Sequence, residues 1–223
     1  MGRYRHEYKY LLDSPMEQIL QIRAAGLLAL DAHVQEEGSY VIRSLYFDDL
    51  YDSCLRENDA GTDPRSKFRI RYYNHNTDKI HLEKKSKTRG MTRKEACDLT
   101  LEECAMLVRG EIPDVDDTMP AIKKQLLLEM RLLNLMPKVI VSYERVPYVY
   151  PGGNVRITFD RDISSSVELS AFLSGDQGVD ILDADNGFSG EPTKCLYGEG
   201  DTNVALKKLL SLQADLYAAN AAY

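Results

Sequence analysis

Between Arg65 and Lys94 the chain carries eleven basic side chains and two acidic ones, in a protein whose net charge is −7. The remainder sums to −16, so positive charge is gathered into one stretch and is not spread for solubility. Lysines and arginines at that density bind polyanions well. Arg offers phosphate a planar fork, and Lys a movable point charge. Phosphoryl transfer asks chiefly for position and for stabilisation of charge spread over phosphate oxygens, so a cationic site can support it without a nucleophilic side chain. No P-loop, Ser/His/Asp arrangement or G-x-G-x-x-G turn offers another route.

The spacing says how such side chains are held. Lys67, Arg69 and Arg71 share one parity while Phe68, Ile70 and Tyr72 take the other, which is the period of a strand with one cationic and one apolar face. After a turn at Asn74 to Asp78, Lys79, His81, Glu83, Lys85 and Lys87 alternate with Ile80 and Leu82. Charged faces recur at Arg5, Glu7 and Lys9, at Lys94 in a strand from Gly90 to Leu99, at Arg145 in a strand from Lys138 to Tyr150, and at Arg156 and Asp160 in Val155 to Asp162. One such strand is most often a solvated outer face. Several together point to an antiparallel meander curling into a barrel around a shared anion, because unpaired charges taken out of water cost several kcal/mol each. The few carboxylates could hold a divalent ion between phosphates, although Glu7 and Glu83 taken singly read better as ion-pair partners.

The positioning elements follow from caps and turns. Ser14 as N-cap, Pro15 and Glu17 predict a helix running toward Leu30, and Tyr40 to Asp48 reads as a strand. Asp49 to Asp59 is a polar helix or irregular connection, closed by the turn Ala60 to Pro64. Thr100 and Glu103 form a capping box for a short helix. The helix Pro120 to Leu135, stopped by Pro137, has an apolar stripe to pack outside the sheet. Pro151 to Asn154 is a hairpin turn, Ser174 to Asn203 reads as loop, and Val204 to Tyr217 as a last helix. The tyrosines of the YKY and RYY stretches fall on the apolar side and are expected in the core.

At 223 residues one domain over 1–223 is expected. No run is long enough to span a bilayer and the N-terminus lacks the apolar stretch of a signal peptide, which makes the cytoplasm the expected location. Four scattered cysteines give neither a zinc site nor a disulfide framework. The acidic balance argues against nucleic acid as a partner.

Taken together, RHEYKYLL, IRSLYFDD, KFRIRYYN, LEKKSKTRGMTRK and PKVIVSYERVPYVYPGGNVRITFDRDI resemble the VTC domain in its bacterial form. That is the polyphosphate polymerase domain named from the vacuolar transporter chaperone complex, within the triphosphate tunnel metalloenzyme (CYTH-like) superfamily. The resemblance runs over about residues 3–162. It implies an α+β fold: an antiparallel β-barrel, or triphosphate tunnel, with helices packed outside. It also implies binding of ATP, triphosphate or inorganic polyphosphate with Mn²⁺ or Mg²⁺, growth of a polyphosphate chain, and room for a membrane partner protein. By position, Lys9, Lys67, Arg69, Arg71, Lys85, Lys94, Tyr143, Arg145 and Arg156 would bind phosphate, with Arg69, Arg71 and Lys85 closest to the chemistry. A CYTH-like triphosphatase, or a polyphosphate-binding module without catalysis, would use the same tunnel.

The resemblance stops before the C-terminus. The family's further strand with an E-x-K motif, whose glutamate is a metal ligand, has no counterpart legible in Asp180 to Asn203, so a divergent or frameshifted end and an incomplete barrel are expected, with Glu7, Glu83 and Asp160 as weaker metal ligands.

Overall fold

The computed structural model describes residues 6–34, 38–150, 155–174 and 194–200, with the side chains of residues 7, 9, 11 and 194–200 outside that description. The elements follow in the order β1 (His6–Leu12), α1 (Ser14–Leu27), β2 (Ala29–Leu30), β3 (Tyr40–Asp48), α2 (Ser53–Asp59), β4 (Arg65–Tyr73), β5 (Asn76–Thr88), β6 (Met91–Leu99), α3 (Leu101–Val108), α4 (Ala121–Leu133), β7 (Met136–Tyr150), β8 (Val155–Ser166), α5 (Ala171–Ser174) and β9 (Lys194–Gly200). All pairings are antiparallel, in the order β1-β9-β8-β7-β3-β4-β5-β6, with β2 added on β7. The sheet curls until its two end strands, β1 and β6, come into contact. Register shifts at Tyr46/Phe47, Arg71/Tyr73 and Ser142/Glu144 mark bulges or irregularities, which add local twist.

Parity decides what each face does. Phe68, Ile70 and Tyr72 of β4, Ile80 and Leu82 of β5, and Leu45 and Phe47 of β3 point outward, under Cys104 and Leu107 of α3, Leu126, Leu127 and Met130 of α4, and Phe172 of α5. A second cluster, Val146 and Tyr148 of β7 with Ile157 and Phe159 of β8, lies beneath Ala24 of α1. Burying each such side chain contributes about 1.5–3 kcal/mol, so the helices are fastened to the outer face of the sheet and the inner face is left to polar groups.

Several element ends depart from the sequence expectation. Asp13, not Ser14, caps α1. Its carboxylate accepts from the Met16 N–H at 2.8 Å, and the Glu17 side chain turns to Gln21 at 2.9 Å. An aspartate next to a serine offers the better-placed acceptor here, since residue 13 has the extended backbone a cap needs. α1 stops at Leu27 because Ala29 and Leu30 pair with Val149 and Tyr148 of β7. α4 ends at Asn134, in the left-handed region at φ 52°, so Pro137 instead sits inside β7, beside its irregularity. The capping box on α3 forms as read, Thr100 Oγ1 accepting from Glu103 and Glu103 accepting from Thr100.

The main correction lies at the C-terminus. Lys194–Gly200 is a strand, and it fills the place between β1 and β8, with Tyr197 opposite both Lys9 and Thr158 and Glu199 opposite both Glu7 and Arg156. The expected gap in the barrel is therefore closed. The hairpin turn Pro151 to Asn154 and the helix Val204 to Tyr217 fall outside the described residues. Among the described residues no helix is long and apolar enough to cross a membrane.

Candidate functional site

The inner face of β4 supplies Lys67, Arg69 and Arg71 at every second residue, and register brings Lys85, Glu83 and His81 of β5 opposite them in turn. On the other side of β4, Tyr46 and Ser44 of β3 stand opposite Arg69 and Arg71. The result is a wall in rows about 7 Å apart, two residues of strand rise.

Glu83, 2 % exposed, is the hub of the central row. Arg69 donates Nε–H to its Oε2 at 2.7 Å with Nη2 at 2.6 Å, Arg71 Nη1 lies 4.0 Å away, and Lys94 of β6 pairs with Oε1. Burial alone would raise the carboxyl, but the charges of Arg69, Arg71 and Lys94 outweigh it and hold Glu83 down to about 2. Arg69 also donates to the Tyr46 hydroxyl at 3.1 Å, and the Lys67 ammonium lies 5.1 Å from the centre of that ring. Arg71 is buried; it donates to Ser44 Oγ at 2.9 Å and to the Tyr143 hydroxyl at 2.8 Å. Tyr143, on β7, also lies beneath the Arg145 guanidinium, 5.2 Å from ring centre to Cζ. Arg145 in turn is bound at both donors by Asp160 of β8, at 2.6 Å each. Burial works against its charge, yet Tyr143 and Asp160 hold its pKa above the ordinary arginine value.

Lys67 and Lys85 also line a pocket of about 330 Å³, together with Tyr8, Arg65, Ser66, Lys87 and Thr92 and with Cys54 and Asn58 of α2. Lys85 thus faces the same space as Lys67, as its parity implies. Tyr8 is 40 % exposed there, not in the core; Tyr10 and Tyr72 do face the apolar side.

Arg156 is placed differently from the rest. Its guanidinium pairs with Asp31, a loop residue just after β2 whose N–H bonds to the Pro147 carbonyl at 3.0 Å and whose carboxylate is also met by His33 Nδ1 at 2.7 Å. Burial raises the Asp31 carboxyl, but the His33 hydrogen bonds and the Arg156 charge bring it below the usual range. Glu7 and Lys9 have their backbones in β1, in register with Glu199 and Tyr197, and their side chains lie outside the described residues.

Sequence reasoning missed Tyr46, Ser44 and Asp31. For the first two a signal existed, the alternate positions of the RSLYFD strand, but it becomes meaningful only once β3 is known to pair with β4. Asp31 carries no periodic signal.

A divalent ion does not fit the described carboxylates. Both oxygens of Glu83 are taken by Arg69 and Lys94, both oxygens of Asp160 by Arg145, and among the described residues no three His, Cys, Asp or Glu side chains converge. What this wall does fit is an anion with several charged oxygens, presented to guanidinium forks, ammonium groups and two phenols.

Comparison with known proteins agrees with the fold. The profile of the VTC domain matches residues 4–202, which extends past Asp162 and takes in β9. A candidate adenylate cyclase from Bacillus halodurans has a similar structure, with a TM-score of 0.56 and 14 % identity over 97 % of this chain and 90 % of that one. A candidate adenylyl cyclase from Hippeastrum with a dominant triphosphatase activity aligns with a TM-score of 0.51 and 12 % identity, covering 95 % of this chain and 85 % of that one. At these identities they share the fold, the curled antiparallel sheet with helices outside. No sequence among curated proteins matches significantly.

Proposed function

This chain belongs to the VTC-domain family, and from that premise we propose that it is a phosphotransferase of the polyphosphate-polymerase type, which binds ATP, triphosphate or inorganic polyphosphate along its basic inner wall. The observation that supports this reading is the meeting of Arg69, Arg71, Lys94 and Arg145 around two buried carboxylates, Glu83 and Asp160. Among the described residues these four cations outnumber the two carboxylates, and Arg69 and Arg71, held by hydrogen bonds to Tyr46, Ser44 and Tyr143, are pre-organised for an anion that brings its own charge. The guanidinium forks of Arg69 and Arg71 would grip non-bridging oxygens and hold the transferring phosphoryl group in line, while Lys67 and Lys85 would meet the charge of neighbouring phosphates. Lys9 and Arg156 belong to this set by position. Mn²⁺ or Mg²⁺ enters the reading as the counter-ion that accompanies the substrate, and no step is assigned to it.

The whole chain, 1–223, is taken as one tunnel domain. A cytoplasmic setting, where ATP is at hand, accords with the reading and leaves room for a membrane-bound partner protein. With water as acceptor the same wall would make the protein a triphosphatase, and with no acceptor a polyphosphate-binding module.

Incubation with ATP and Mn²⁺ separates these. Polymer identifies the polymerase, free phosphate without polymer the triphosphatase, and triphosphate binding with neither product the binding module. The double variant Arg69→Ala/Arg71→Ala is expected to lose triphosphate binding while keeping its fold by circular dichroism; undiminished affinity in a folded variant overturns the tunnel reading.

A further inference from the structure

We propose that Tyr46 contacts the bound phosphates and takes up one proton when a triphosphate enters, changing from a phenolate that balances the cationic wall to a phenol that donates to a phosphate oxygen. This rests on the function proposed above and adds a residue and a proton to it.

The geometry carries the argument. Tyr46 stands on the inner face of β3, between Arg69 of β4 and Val139 of β7 in register. Its hydroxyl accepts from Arg69 Nη1 at 3.1 Å, Lys67 Nζ lies 5.1 Å from its ring centre and Arg69 Cζ 5.9 Å. The charged and titratable groups that face it among the described residues are Lys67, Arg69 and Arg71 from β4, Tyr143 from β7, and, behind Arg69, Glu83 of β5 with Lys94 of β6. Glu83 is the one carboxylate of that group, and Arg69 and Lys94 already occupy both its oxygens. Among the described residues around Arg69, the Tyr46 phenol is another group able to carry negative charge.

The acidity of the two inner tyrosines follows. Burial raises Tyr46, but Arg69, Arg71 and Lys67 outweigh it and bring the hydroxyl down to about 7. For Tyr143 burial prevails over Arg71 and Arg145, and its hydroxyl is raised. Near neutral pH one of the pair titrates and the other stays protonated.

An incoming triphosphate places negative oxygens on Arg69 and Arg71, where a phenolate would repel them. The balanced step is the formation of the Tyr46 O–H bond with a proton given up by the acid form of the buffer; no other bond changes. A pKa that is low in the free protein and higher in the complex means that binding weakens as pH rises above the free value, by up to about tenfold per pH unit.

The test is calorimetry of the full chain with tripolyphosphate at a pH of about 8, one unit above the free value of Tyr46 and well below ordinary tyrosine, in two buffers of different ionisation enthalpy. Wild type is expected to take up close to one proton per site more than Tyr46→Phe, which keeps the ring beneath Lys67; the difference cancels any proton the tripolyphosphate itself releases. The tyrosinate absorbance of wild type, measured without any variant, should fall as tripolyphosphate is added. Equal proton exchange by wild type and a folded Tyr46→Phe protein, or an unchanged tyrosinate band, each overturns the proposal while leaving the tunnel reading in place. Absence of any tripolyphosphate binding by wild type overturns the tunnel reading first, and this inference with it.

Discussion

Asp160 meets Arg145 with both carboxylate oxygens, each 2.6 Å from a guanidinium nitrogen, across the β7–β8 pair. The acid is 2 % exposed, so the pair sits where an unmatched guanidinium is costly. Asp160→Ala is expected to lower unfolding stability by about 3–5 kcal/mol, the usual result of removing one member of a buried pair. Tripolyphosphate should restore more stability to this variant than it adds to wild type, because it supplies the missing negative charge. Urea denaturation with and without the ligand measures both effects.

Glu83 makes stability depend on acid. Its folded value of about 2 lies below the ordinary 4.5, so its contribution is fully present above pH 4.5 and is lost as pH falls from there toward 2. The size is on the order of 3 kcal/mol. Glu83→Gln is expected to be less stable than wild type at neutral pH and to converge on it in this acid window. Denaturation midpoints collected across the window show whether the two curves meet.

Asp31 pairs with the Arg156 guanidinium, which on the proposed function it would share with the substrate. Asp31→Asn should release the guanidinium and tighten tripolyphosphate binding several-fold, the scale of one partly exposed ion pair. Weaker binding would mean that Asp31 positions Arg156 for the ligand. Isothermal titration at fixed ionic strength distinguishes the two signs.

Phe172 tests the outer face. It is fully buried, meets Tyr72 edge to face at 5.1 Å, and its carbonyl accepts the Tyr72 hydroxyl. Phe172→Ala should cost about 3–5 kcal/mol of stability, yet leave the tripolyphosphate affinity of the folded protein within about twofold, since neither ring touches the inner wall.

How far the site could be read from sequence depended on whether its signal was local. The rows of β4 and β5 were legible because Lys67, Arg69 and Arg71 alternate with Phe68, Ile70 and Tyr72, and the outer residues are indeed buried under α3 and α4. β9 was not, because KCLYGEG is short and broken by glycines, and its identity as a strand comes from neighbours on both sides, β1 and β8, that are remote in sequence. Asp31 and Arg156 are separated by 125 residues, and no pattern within either segment announces the other. Tyr46 looks like any strand tyrosine until register sets it against Arg69. The sheet, the two basic strands and most of the cations were thus available from periodicity, while the cap at Asp13, the last strand and the partners of each cation depended on contacts that only folding creates.

Alternation on β4 and β5 also separates two evolutionary liberties. Phe68, Ile70, Tyr72, Ile80 and Leu82 answer to the helices above them, and the odd-numbered Lys67, Arg69, Arg71, Glu83 and Lys85 to the inner wall. Exchanges among the odd-numbered residues can therefore retune which guest is accepted without loosening the scaffold, provided each acid lost is matched by a base lost, so that one architecture can serve relatives with unlike cargo.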